Sequence, residues 1–391
     1  MPDPPRAPAE PGGVLILTAA TGGGHDSVAA ALREALRELA PGAGVRILDP
    51  LAGRPCHGLL SPARWYDATV ARAPWLWGLF YRATDNPWAV RLGLAAAAPP
   101  WVRRLRATIR AGRPGLVVAV HPLCARLAAA VLRAVPDAPP LHCVVTDLAT
   151  IHRCWAADGV AAFYAATPEA RSALVAMGVP PERVRVTGLP VRASFARAPR
   201  PPAGDATPRV LVLGGGCPSR RVEQVARALA ASRRPLRLVV VCGRNARLRR
   251  RLARAVGARA TVLGWRDDIA ALMRWSSVVV TRGGPTTLAE ALSLSRPVVI
   301  YQALRGQEVG NVALAERTGA GRYIPDVDAL VRAVAAGPCA LPADDAPHAA
   351  WWGGAARRVA ACLLAARAEA LSRGTAYRFA PTLEYAQPAD K

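Results

Sequence analysis

Two doubly wound α/β domains facing a cleft are predicted by three features of this 391-residue chain. A strand, a glycine turn and a helix follow one another twice. Other short apolar runs alternate with helical patterns in both halves, which implies parallel sheets. A proline-rich stretch separates the halves. Val14–Thr18 (VLILT) leads into Gly22-Gly23-Gly24-His25-Asp26-Ser27 and then the helical VAAALREALREL. Val210–Leu213 (VLVL) leads likewise into Gly214-Gly215-Gly216-Cys217-Pro218-Ser219 and RRVEQVARALAAS. Both loops read GGGxxS, and they begin 192 residues apart, at Gly22 and Gly214. Neither is GxxxxGK[ST], and neither completes GxGxxG, so a P-loop is excluded and a dinucleotide site is weakly supported.

The further strand candidates are Val45–Leu48, Leu116–Val120 and Leu141–Thr146 in the first half. Those of the second half are Leu236–Cys242, Val278–Thr281 and Pro297–Tyr301. Five units follow: a disordered start over 1–13, a domain over 14–195, a linker over 196–208, a domain over 209–350, and a helix with a tail over 351–391. That last helix is expected to return to the first domain.

Composition narrows the classes. With 52% hydrophobic residues the chain can bury substantial cores, which excludes wholesale disorder. No apolar run approaches the ~18 residues of a membrane span, and MPDPPRAPAEPGG lacks a signal-peptide core. Eight scattered cysteines without a CxxC read as reduced cytoplasmic thiols, and their spacing to histidines fits no zinc pattern. The net charge of +24 points to an anionic partner, although one lysine among many arginines also fits codon bias.

Glycine turns before helices let backbone N–H groups approach an anion, and the helix dipole adds partial positive charge. One such turn alone is an ordinary tight turn. A third, Arg282-Gly283-Gly284-Pro285-Thr286-Thr287, follows SVVVT and opens TLAEALSLS. Pro285 suits a first helical turn, and the Thr286 and Thr287 hydroxyls suit phosphate. Glu290 can accept from ribose hydroxyls or simply favour a helix N-terminus. Gln307, Glu308 and Asn311, grouped after Arg305-Gly306, offer donors and acceptors for sugar hydroxyls. Gly214–Gly216, Gly283–Thr287, Glu290 and Gln307–Asn311 would meet at the strand ends of one sheet. A nucleotide-sugar suits that inventory.

The chain resembles the family-28 glycosyltransferases, most closely the branch of monogalactosyldiacylglycerol synthase and diacylglycerol glucosyltransferase. The resemblance rests on TAATGGGHDSVAAAL, VHPL at 120–123, TDLATIHRCW at 146–155, the 166–195 segment, VCGRN at 241–245, GGPTTLAEAL and GQEVGN. It implies a GT-B fold, two Rossmann-like domains with the acceptor in the first and the sugar nucleotide in the second. It implies His25 as the cleft histidine, Glu290 on the donor ribose, Gln307 and Glu308 near the transferred sugar, and Gly214, Gly215 and Gly216 beside the diphosphate. Arg244 and Arg266, with Gly283, Gly284, Pro285, Thr286, Thr287 and Asn311, complete the implied donor set. Gly23, Gly24, His121, Trp75 and Trp77 fall on the acceptor side.

The reaction so implied is inverting transfer of a hexose from a UDP-sugar to diacylglycerol, with the UDP-sugar as co-substrate and neither cofactor nor metal. His25 is the first candidate base and Asp147 the second. Residues 65–101 hold five of ten tryptophans, and WVRRLRATIR places Trp101, Leu105 and Ile109 four apart beside Arg103, Arg104, Arg106 and Arg110. Aromatics with arginines suit a bilayer interface, with core packing as the alternative for several of the rings. The expectation is a cytoplasmic enzyme, peripheral on the inner face of the cell membrane and attached to its anionic surface. Other lipid-linked or natural-product acceptors, and a sugar-nucleotide epimerase, are the competing enzyme readings. No nucleic-acid module is recognisable, which disfavours a nucleic-acid binder.

Overall fold

The computed structural model describes residues 11–20, 23–52, 62–90, 99–135, 137–195, 207–214, 220–337 and 353–373. Gly215, Gly216, most of the linker candidate and most of the expected disordered start lie outside them. The described chain forms two six-stranded parallel sheets. The first holds β1 (Val14–Leu17), β2 (Val45–Leu48), β3 (Leu116–Ala119), β4 (Leu141–Val144), β5 (Val160–Ala165) and β6 (Val184–Val186), in the order β2-β1-β3-β4-β5-β6. The second holds β7 (Arg209–Leu213), β8 (Arg237–Val241), β9 (Thr261–Leu263), β10 (Val278–Arg282), β11 (Val298–Gln302) and β12 (Gly321–Tyr323), in the order β12-β11-β10-β7-β8-β9.

Every residue of β1, β3, β4 and β10 is buried. Unbroken apolar strands of this kind need helices on both faces, as parallel sheets do. In the first half those helices include α1 (Gly24–Leu39), α2 (Pro62–Arg72), α3 (Pro74–Thr84), α4 (Pro99–Gly112), α5 (Pro122–Leu132) and α6 (Pro168–Ala176). The second half adds α7 (Arg220–Ala230), α8 (Ala246–Val256), α9 (Ile269–Trp275), α10 (Pro285–Ser293), α11 (Val309–Arg317) and α12 (Val327–Ala335). Proline opens α5, α6 and α10, where its missing N–H costs nothing.

The final helix, α13 (Ala355–Ser372), packs on the first half. Val359, Ala360 and Leu363 join the apolar cluster of β1 and α1. Arg358 donates to Thr187 O at 2.9 Å and Arg367 to Gly12 O at 2.6 Å.

The strand orders locate the binding crevices. Chain order reverses between β1 and β3 in the first sheet and between β7 and β10 in the second. Loops at the carboxyl ends of these strand pairs diverge, and ligands of open α/β sheets settle there. His25 and His121 follow β1 and β3, while Gly214 and Gly283 follow β7 and β10.

One expectation shifts. Leu105 and Ile109 of α4 are fully buried in the core of the first half, with Trp101 packed against it. Each burial contributes about 1.5–3 kcal/mol, so this face is core and only the arginine side looks outward. The exposed large apolar side chains of this half come instead from α2, α3 and the helical stretch 87–90, among them Trp65, Trp75, Leu79, Phe80 and Trp88, the last 72% exposed.

Candidate active site

At the first crevice, Gly23 takes φ 82° to turn the chain from β1 into α1. L-residues with a Cβ resist that region, which explains a glycine here. The turn delivers His25 into the first helical turn, half-buried. Its Nδ1 lies 2.7 Å from Val120 O and 3.1 Å from Thr146 Oγ1. A carbonyl only accepts, so Nδ1 carries the proton and Nε2 is left with its lone pair. Burial pushes the His25 pKa down to about 4, so the ring is neutral near pH 7. Its edge meets the His121 ring with centroids 4.5 Å apart.

His121 caps α5, its Nδ1 accepting from Leu123 N at 3.2 Å, which places its own proton on Nε2. Thr18 Oγ1 donates to Asp26 at 2.8 Å and steadies the turn from below. Asp147 accepts from the Trp155 indole at 2.7 Å, and burial lifts its carboxyl to about 6. The Val120 carbonyl and Thr146, rather than Asp147, therefore orient His25.

At the second crevice, Gly283 and Gly284 lead from β10 into α10. A Cβ on Gly283 would stand 3.4–3.5 Å from the side chains of Glu308, Ala303 and Val312. Pro285 opens the helix, Thr286 is buried and Thr287 half-buried. Glu290 is buried and accepts from Ser27 Oγ at 3.1 Å. Burial raises its carboxyl to about 7, against the Ser27 hydrogen bond and the nearby Arg192 charge.

Glu308 turns inward. Its Oε2 accepts from Leu304 N at 2.8 Å, and Oε1 lies 3.5 Å from the buried Arg282 guanidinium. It holds the loop in shape. Asn311 donates to Gly283 O at 3.0 Å, tying α11 to the glycine turn. Gln307 accepts from the Trp77 indole at 3.0 Å. Gly214, buried, donates its N–H to Val241 O at 3.2 Å. Arg244 lies over the exposed Trp265 ring at 4.4 Å, and Arg266 pairs with Asp268 in solvent. Trp75 is 63% exposed and Trp77 half-buried.

The two crevices meet. A Cβ on Gly24 would stand 2.8 Å from Thr286 Oγ1, so the N-termini of α1 and α10 approach end to end. Two positive helix ends facing each other favour an anion between them. His25, Glu290, Gly24 and Thr286 thus share one cleft, with Asp147 and Gln307 beside them. Arg244 and Arg266 share no described hydrogen bond with that group. Reasoning from sequence did not single out Ser27, Thr146, Arg192 or the Val120 carbonyl. Only the serine carried a signal, as the last letter of both GGGxxS loops. Among the described residues no group of three His, Cys, Asp or Glu is placed to hold a metal ion.

This architecture is that of solved two-domain proteins. MurG of Acinetobacter baumannii superposes with a TM-score of 0.56 over 90% of this chain and 99% of that one, at 14% identity. The UDP-GlcNAc 2-epimerase of Neisseria meningitidis, solved with UDP-GlcNAc, gives 0.57 over 90% and 99% at 12% identity. These likenesses establish the GT-B fold alone.

Sequence comparison separates the activities that share it. The glycosyltransferase family 28 C-terminal domain matches residues 209–337, and the protein is a glycosyltransferase. Residues 25–191 match the monogalactosyldiacylglycerol (MGDG) synthase family. The probable monogalactosyldiacylglycerol synthase 2, chloroplastic, of Oryza sativa subsp. japonica is 33% identical over 82% of this chain and 72% of its own length. Monogalactosyldiacylglycerol synthase 2, chloroplastic, of Arabidopsis thaliana is 32% identical over 79% and 70%. The chain belongs to the monogalactosyldiacylglycerol synthase family.

Proposed function

We propose that this protein transfers a hexose from a UDP-sugar to the free hydroxyl of diacylglycerol, inverting the anomeric carbon. The observation that carries the reading is the fixed tautomer of His25. With Nδ1–H held by Val120 O, Nε2 is available to take the acceptor hydroxyl proton as that oxygen attacks. UDP leaves with its new charge against the backbone N–H groups of Gly284, Thr286 and Thr287 at the positive end of α10. Glu290 would exchange its Ser27 partner for a ribose hydroxyl, and Gln307 would face the sugar. The names of the relatives favour galactose as that sugar.

No described helix is long and apolar enough to cross a membrane. The exposed Trp65, Trp75, Leu79, Phe80 and Trp88 form a surface suited to the bilayer interface, where diacylglycerol resides. Peripheral attachment to an anionic membrane face, in the cytoplasm, fits that surface and the net charge of +24.

The test is direct. Purified protein is incubated with diacylglycerol vesicles and a panel of nucleotide-sugars, and lipids are read by mass spectrometry. A monohexosyl product from one UDP-sugar supports the proposal. Hydrolysis or epimerisation without any glycolipid would overturn it.

A further inference from the structure

The α2–α3 hairpin belongs in sequence to the first half, yet its inner face is seated on the second. Tyr66 and Val70 form one apolar cluster with Leu304, and Trp77 packs against it. A Cβ on Gly78 would stand 2.8 Å from Arg305 Cβ, and one on Gly306 would stand 3.0 Å from the Tyr81 ring. Both backbones therefore approach as closely as glycine permits.

In the middle of this contact the Trp77 indole donates to Gln307 Oε1. An indole N–H only donates, whereas a carboxamide has one accepting oxygen and one donating nitrogen. This bond thus decides which way round the Gln307 amide stands. Its NH₂ group is left for the Asp147 carboxylate, whose charged form it favours. Asp147 itself accepts from the Trp155 indole. Gln307 and Asp147 are thus each held by an indole donor, one from the hairpin and one from the wall of the first crevice.

We infer that Trp77 is a positioning residue for the transfer: it orients the Gln307 amide at the sugar end of the donor site and does not line the acceptor pocket. The inference rests on the proposed glycosyl transfer and names a residue on which that transfer depends. It also replaces the acceptor role expected for Trp77 from sequence. Because the bond spans the two halves, the Gln307 amide is set only when the hairpin lies against the 304–307 loop.

Trp77→Phe keeps a ring against Leu304 and removes only the N–H. With UDP-sugar and diacylglycerol vesicles, this variant should raise the donor KM by about 3- to 10-fold, the usual worth of one hydrogen bond. The diacylglycerol KM and vesicle binding should stay unchanged. A Trp77→Phe/Gln307→Ala double variant should match Gln307→Ala alone, because Trp77 acts through Gln307. A raised acceptor KM, or losses that multiply in the double variant, would overturn the inference.

A second measurement is independent of turnover. The Trp77 indole ¹H–¹⁵N resonance, identified by its loss in Trp77→Phe, should shift and exchange faster with solvent in Gln307→Ala. An unmoved resonance overturns the inference as well. If the unaltered protein made no glycolipid, the reaction reading would fall, while the resonance would still decide the Trp77–Gln307 bond.

Discussion

The Ser27 hydroxyl in the first turn of α1 donates to the Glu290 carboxylate of α10 at 3.1 Å, although the two are 263 positions apart in the chain. The bond closes the cleft at the point where the two helices begin, and it buries a carboxyl group. That burial has a measurable cost. The unfolded chain releases the Glu290 proton near pH 4.5, whereas the folded protein keeps it to about 7.

Stability is therefore expected to fall as pH rises from about 4.5 to 7, because only the unfolded state ionises in that window. Above it the loss is complete, on the order of 1–3 kcal/mol. Glu290→Gln keeps an acceptor for Ser27 and cannot ionise. Relative to the unaltered protein it should gain stability between pH 5 and 8. Thermal unfolding across this range checks it, and parallel profiles for the two proteins would refute the assignment.

Closure itself can be probed at Gly24. The Cβ of an alanine there would meet Thr286 Oγ1, which lies in the other half of the molecule. Gly24→Ala should leave the melting temperature nearly unchanged and lower kcat. The same substitution should cost less when Thr286 is already alanine. Equal costs in both backgrounds would mean that the clash plays no part in turnover.

The two candidate bases separate by pH. A base works only when deprotonated, so activity is lost as pH falls through its pKa. Burial sets His25 near 4 and Asp147 near 6. With His25 as the base, kcat/KM should hold from pH 7.5 down to 6, and His25→Ala should lose about 10²–10⁴-fold. An acidic limb near 6 that disappears in Asp147→Asn would transfer the role to Asp147.

Stereochemistry follows from a single displacement. A donor with an α-linked sugar should give the β-glycoside, visible in the anomeric proton coupling. An α-linked product would contradict direct attack by the acceptor oxygen.

Eight of the twelve strands were legible as short, mostly apolar β-rich runs, from VLIL at β1 to VVIYQ at β11. The others carry physical reasons for their silence. VAAFYA at β5 is rich in alanine, which favours helix as readily as strand. VRV, TVL and GRY at β6, β9 and β12 are three-residue edge strands with exposed positions. The glycine turns were equally legible, because the chemistry of a tight turn before a helix is local. The Ser27–Glu290 and Trp77–Gln307 pairs were not, since they exist only once two domains have docked. Helix α4 shows a further limit. Its apolar face has one periodicity whether it meets lipid or core, and only the packing of Leu105 and Ile109 decides.

Membrane attachment should accordingly depend on α2 and α3 more than on α4. Replacing Trp75, Leu79 and Trp88 with alanine should weaken flotation with both neutral and anionic vesicles. Replacing Arg103, Arg104 and Arg110 with glutamine should weaken only the anionic case, most at low salt. If the aromatic variant floats like the unaltered protein, that face does not meet the bilayer.

The return of α13 to the first half means that the polypeptide passes between the two bodies twice, once after Phe195 and again after Gly337. A single tether would leave one body free to swivel and slide. Two covalent connections restrict the relative motions open to the halves more than one does. Ser27 and Glu290, like Trp77 and Gln307, thus meet between halves that the chain joins twice. The register of these pairs then draws on chain connectivity as well as on the contacts that hold the cleft shut.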